Sequence, residues 1–116
     1  MLRGDIYLAE LDPVRGSEAS KARPVLVVSN DALNSVVTRR RRGVVTVVPL
    51  SSNVDRVLSF QILLPADVTG LTLDSKAQAE QVRALAFERF APGPIAALPL
   101  AYMQRVDTAL RLHLQL

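Results

Sequence analysis

Two stretches of the chain are apolar at nearly every position. Residues 24–29, PVLVVS, and residues 43–50, GVVTVVPL, are β-branched runs with hardly a polar break. Runs of that kind read as strands buried on both faces. Residues 5–11, DIYLAEL, alternate more, with Ile6, Leu8 and Glu10 on one side, and predict a further strand. Residues 60–65, FQILLP, predict a fourth, which Pro65 ends. Between the second and third strands, NDALNSVV has room for a short helix, with Asn30 or Asp31 as its cap. The turn signals LDP, SSN, DVTG and PGP recur at short intervals. Short strands with brief connections predict a mainly β protein: a small, strongly bent sheet or barrel with short helices.

Residues 74–90, DSKAQAEQVRALAFERF, carry opposing signals. Ala, Gln, Glu, Arg and Leu dominate, so propensity favours a helix. The alternation of Ser75, Ala77 and Ala79 against Lys76, Gln78 and Glu80 also permits a strand. The C-terminal segment is plainer. Pro99 suits a first helical turn, and Leu100, Met103, Val106, Leu110 and Leu114 recur at three- and four-residue spacing. This predicts a C-terminal amphipathic helix that runs to the end of the chain.

A length of 116 residues, 49% of them hydrophobic, suits one domain over 1–116 with one compact core. The absence of cysteine removes disulfides and thiolate metal sites and fits a reducing cytoplasm. MLRGDIYLAELDP has no long apolar run behind its positive charge, so it does not read as a signal peptide. No run approaches the ~18 apolar residues of a membrane span. The expectation is a soluble cytoplasmic protein without membrane contact. The net charge of +3 is local: of 14 Lys and Arg, four are the consecutive Arg39, Arg40, Arg41 and Arg42, and without them ten basic groups face 11 acidic ones. Four adjacent guanidiniums repel one another and resist burial, so TRRRRG predicts an exposed loop. It reads as a solvated hairpin tip or as a contact for phosphates, to which Arg offers paired donors and a permanent charge.

The lone histidine, His113, lies beside the stripe of the last helix, and no acidic cluster has metal-ligand spacing. No glycine-rich phosphate loop is present. What remains is polar groups in loops: Glu18, Lys21 and Arg23 in GSEASKARP; Ser51, Ser52 and Asn53 after the third strand; the arginine run; and Glu80, Gln81 and Arg83. Each has a bland alternative, a surface ion pair for the first set and turn hydrogen bonds for the second. Cleaving RNA needs little more than such groups. Its 2′-hydroxyl can attack the adjacent phosphate, so the protein need only accept a proton, assist the leaving oxygen and stabilise charge.

The ordered set RGDIY…LDP, then GSE-x4-RP within GSEASKARP, then an apolar strand ending SND, resembles the MazF/PemK family of toxins. VVPLSSN, AEQVRAL and the leucine-ended C-terminal helix agree, so the resemblance spans nearly the whole chain. It implies a small SH3-like (MazF/CcdB-like) β-barrel with a C-terminal amphipathic helix, assembled as a homodimer. It also implies sequence-specific endoribonuclease activity on single-stranded RNA, without metal or other cofactor, leaving 2′,3′-cyclic phosphate and 5′-hydroxyl ends. A MazE-like cognate antitoxin would neutralise it through an acidic, disordered tail. By motif, Glu18, Arg23 and Ser51 are the implied catalytic residues. Lys21, Ser52, Asn53, Gln78, Glu80 and Gln81 are implied RNA contacts, joined by Arg39, Arg40, Arg41 and Arg42, a run outside the general family pattern. Some relatives carry His before the first-loop Glu, here Ser17, and some carry Arg where Gln78 stands. Arg is a poor proton donor, which leaves the leaving-group proton to water or a lysine such as Lys21. The resemblance also favours a strand over roughly 74–81. Two other functions compete: a gyrase-binding toxin of the same fold, CcdB-like, acting through its last helix, and an RNA-binding barrel that never cuts.

Overall fold

The protein's structure, a computed structural model, describes residues 1–13, 15–19 and 22–116. Its strands are β1 (Asp5–Glu10), β2 (Ala22–Val27), β3 (Val44–Ser51), β4 (Gln61–Leu64), β5 (Ser75–Gln78), β6 (Arg83–Ala86) and β7 (Ala96–Ala97). Its helices are α1 (Asp31–Arg40), α2 (Ala66–Thr69) and α3 (Leu100–Leu114), with single 3₁₀ turns at Ala79–Gln81 and Phe87–Arg89. The strands form one antiparallel sheet in the order β4-β5-β3-β2-β1-β7, with β6 also on β3.

β3 organises that sheet. One edge pairs with β2, Val25 opposite Pro49 and Val27 opposite Val47. The other edge pairs first with β6, from Val44 opposite Ala86 to Val47 opposite Arg83, and then with β5, Leu50 opposite Ala77 and Ser51 opposite Lys76. A strand that changes partner along one edge must bend, and the sheet curls around it. Side chains alternate across it into two cores. Val25, Val27, Val45 and Val47 meet Tyr7, Ala9, Leu11, Leu85 and Val37 of α1. Leu26, Val48 and Leu50 meet Ile6, Leu64, Ala77, Leu98 and, from α3, Met103 and Val106. Both faces being covered is why β2 and β3 read as unbroken apolar runs.

β1 keeps the expected grouping but buries it unevenly. Tyr7 and Ala9 are buried in the first core, and on the opposite face Ile6 is buried while Leu8 and Glu10 are exposed. The reason is coverage: α3 packs over β4 and the Ala79–Gln81 turn, away from the far end of β1. The same limit applies along α3. Met103, Val106 and Ala109 are buried, whereas Leu100, 74% exposed, and Leu114 of the expected stripe are not. The helix ends at Leu114, with Gln115 left-handed at φ 57°.

The arginine run brings a correction. Arg39 and Arg40 form the last turn of α1, and only Arg41, left-handed at φ 57°, and Arg42 leave the helix. Arginine is a good helix former, and cations suit a helix C-terminus. All four stay exposed. Over 74–90 no α-helix forms: β5, a 3₁₀ turn and β6 follow one another, because pairing with β3 and β4 outweighs propensity. The helix α2 and the strands β6 and β7 had no clear trace in the pattern. No helix among the described residues is long and apolar enough to cross a membrane.

Polar side chains fasten the pieces. Asn30 caps α1, its Oδ1 accepting from the Leu33 amide at 2.8 Å. Asn34, fully buried, donates from Nδ2 to the Ser29 carbonyl at 2.8 Å and accepts from Ser29 Oγ, which itself accepts from the Thr46 amide. Replacing Asn34 with alanine orphans groups in this network and is expected to cost about 1–3 kcal/mol, read by urea unfolding. A cost near zero would mean that Ser29 finds other partners. Arg3 donates from Nε to the Val28 carbonyl at 2.8 Å and pairs with Asp107, tying α3 to the end of β2.

Candidate functional site

The start of β2 and the end of β3 lie on one side of the sheet, and this places Arg23 and Ser51 on the same cleft of about 500 Å3. Arg23 is half-buried, opposite Ala9 of β1. Ser52 and Asn53 continue the same wall, and Leu71, Thr72, Leu73 and Ile95 close the other sides. Ser51 Oγ accepts from the Asn53 amide at 3.2 Å and Asn53 Oδ1 from the Asp55 amide at 3.3 Å. The turn chemistry expected of SSN is therefore present, and it orients Ser51 while leaving a hydroxyl proton to donate.

The loop between β1 and β2 is fastened by side chains. Arg89 donates from Nη1 to the carbonyls of Glu10 and Asp12. The Glu18 amide donates to the Arg15 carbonyl at 3.1 Å, and Glu18 Oε1 accepts from the Arg15 amide. Gln81 then brackets Glu18: its Nε2 donates to the Ser17 carbonyl and its Oε1 accepts from the Ala19 amide, both at 3.0 Å. Glu18 itself is exposed and does not line the cleft. Lys21 lies outside the described residues.

The remaining sequence candidates lie elsewhere. Gln61 Nε2 donates to Glu80 Oε2 at 2.7 Å, and Glu80 Oε1 and Gln78 Oε1 are buried without a hydrogen-bond partner among the described residues. Gln78 and Glu80 are thus turned inward beside β4 rather than into the cleft. Arg39 and Arg41 line a separate pocket of about 530 Å3 with Tyr7, Phe87 and Phe90. There the Tyr7 hydroxyl is held above its ordinary pKa, first by burial and then by the nearby Asp5 carboxylate. The residues that close the cleft, Leu71, Thr72, Leu73 and Ile95, were missed in the sequence. Their only trace was large apolar residues in turn-rich stretches, such as Leu73, 61% exposed, in TGLTLD.

Fold and cleft together define a small curled-sheet protein whose strand ends bring Arg23 and Ser51 to one cleft. Residues 2–114 match the model of the PemK-like, MazF-like toxin of type II toxin–antitoxin systems, and the chain belongs to that family. It is 53% identical over 116 residues to endoribonuclease MazF9 of Mycobacterium tuberculosis, covering 100% of this chain and 98% of that one. It is 34% identical over 115 residues to endoribonuclease EndoA of Bacillus subtilis, covering 98% and 94%. Among solved structures, Mycobacterium tuberculosis toxin MazF-mt6 superposes with a TM-score of 0.75 at 25% identity, covering 97% of each chain.

Proposed function

We propose that the protein is a metal-independent endoribonuclease toxin that cuts single-stranded RNA by transesterification. The observation that carries the reading is the convergence of Arg23 and Ser51, from two strands, on one cleft, with Glu18 on the loop that feeds β2. Glu18 takes the proton of the 2′-hydroxyl, exchanging the Arg15 amide for the substrate. The 2′-oxygen bonds to the adjacent phosphorus, the bond to the 5′-oxygen breaks, and that oxygen takes a proton from water or Lys21. A 2′,3′-cyclic phosphate and a 5′-hydroxyl result. Arg23 and Ser51 hold the non-bridging oxygens as charge builds. The test maps cut ends on a long single-stranded RNA in excess EDTA and assays the 3′ ends for cyclic phosphate. Intact RNA at high protein concentration would end the proposal.

Gln81 is a positioning residue in this scheme rather than the RNA contact its motif implies. Gln81→Ala is expected to lower kcat about 10-fold or more with little change in KM, and Gln81→Glu, which keeps only the bond from Ala19, to fall between. A raised KM at unchanged kcat would instead place Gln81 on the RNA. The same reading assigns a cytoplasmic setting, a cognate antitoxin that occupies the cleft, and a homodimer. The outward Leu100, Leu112 and Leu114 of α3 are apolar surface that a second copy would cover.

A further inference from the structure

The chain has five aromatic side chains, two Tyr and three Phe. Three of them, Tyr7, Phe87 and Phe90, converge on the pocket whose rim carries Arg39 and Arg41. Tyr7 and Phe90 meet edge to face, their centroids 5.7 Å apart at 89°, so the rings hold one another in place. This pocket is not isolated. A shallow trough of about 260 Å3 shares Phe90 and Ala91 with it, and shares Ala22 with the cleft of Arg23 and Ser51. The trough crosses β1 where Ala9 bridges Phe90, and Glu10 and Arg89 lie along it with opposite charges.

We propose that the three depressions form one track for single-stranded RNA, and that the aromatic pocket holds a base of the same strand, a few nucleotides from the scissile phosphate. The inference rests on the endoribonuclease reading. Rings beside guanidiniums match what each nucleotide offers, a flat base and an adjoining phosphate. Continuity with the cleft favours a flank of the substrate over an unrelated ligand. The arginine run then acquires a defined role, in which Arg39 and Arg41 take phosphates on either side of the seated base.

The experiment uses 2′-O-methyl RNA, whose blocked nucleophile prevents cutting. Two labelled oligonucleotides share the mapped cleavage sequence, one trimmed to it and one extended on both flanks. Affinities are read by fluorescence anisotropy across a salt series for the wild type, Arg39→Ala/Arg41→Ala and Phe90→Leu. The wild type is expected to bind the long form about 10-fold more tightly than the short one. In both variants that ratio should fall toward one. In the double variant the salt slope on the long form should drop by about 1.4, at about 0.7 for each phosphate no longer neutralised. An unchanged ratio in folded variants would overturn the proposal. Failure of the underlying endoribonuclease reading shows separately, as unmodified RNA left whole by the wild type.

Discussion

Replacing Glu18 and Arg23 together with alanine is expected to reduce cleavage of single-stranded RNA in excess EDTA by a factor of about 10⁴ or more. General-base catalysis contributes roughly 10²–10⁴, and a charge-stabilising donor about 10²–10³. The two act in one step, so the double loss should be smaller than the product of the single losses. Urea unfolding of the variant beside the wild type separates lost chemistry from lost folding, since Arg23 is half-buried. Primer extension on one RNA, with all proteins at equal folded concentration, makes the comparison. A double variant that still cuts at the wild-type rate would remove both residues from the chemistry. Arg23→Lys is informative as well. It keeps the charge but loses the fork that grips two phosphate oxygens, and it should recover only part of the rate.

The second large effect concerns the floor of the cleft. Leu50→Ala is expected to destabilise the protein by about 2–5 kcal/mol. Leu50 is 2% exposed, packs in the second core and stands opposite Ala77 in β5. A cavity there opens directly beneath Ser51. Since domains of this kind are stable by only about 5–15 kcal/mol, the variant should show a clearly lower urea midpoint with an unchanged slope. Leu73→Ala, on the opposite wall, should change stability by no more than about 0.5 kcal/mol, because that side chain is already largely in water. Equal costs at the two positions would contradict the packing described for β3.

What the sequence disclosed follows from where each residue's environment is encoded. β2 and β3 were legible because burial on both faces leaves an uninterrupted apolar run. α3 was legible because its repeat survives even where Leu100 and Leu114 overhang the sheet. The 74–90 segment misled on propensity, since what makes it strand is pairing with β3 and β4. The mutual repulsion of the four arginines predicts a loop, yet in water that repulsion is too weak to oppose a helix end that favours cations. Of the candidate site, Arg23 and Ser51 were singled out by family motif alone, and the structure places both on one cleft. The hydrogen bonds of Gln81 to the first loop were not legible, because its partners Ser17 and Ala19 lie more than 60 positions away in the chain. The inward turn of Gln78 and Glu80 was hidden for the same reason: it depends on Gln61 across a strand pair.

The contrast between β3 and the first loop sets a hierarchy of opening energies within a single site. Backbone pairing on both edges of β3 means that the amides of its middle can exchange with solvent only when the sheet as a whole comes apart. The loop that carries Glu18 is held instead by side chains, the Gln81 carboxamide and the Arg89 guanidinium, and by the tight turn at Arg15–Glu18. Ser51 ends the strand, paired with Lys76 beyond the stretch held on both edges, and the Glu18 carboxylate stands on a loop outside the sheet. If Glu18 is the base proposed above, a substitution that loosens that loop is expected to lower the cleavage rate more than the melting temperature of the protein.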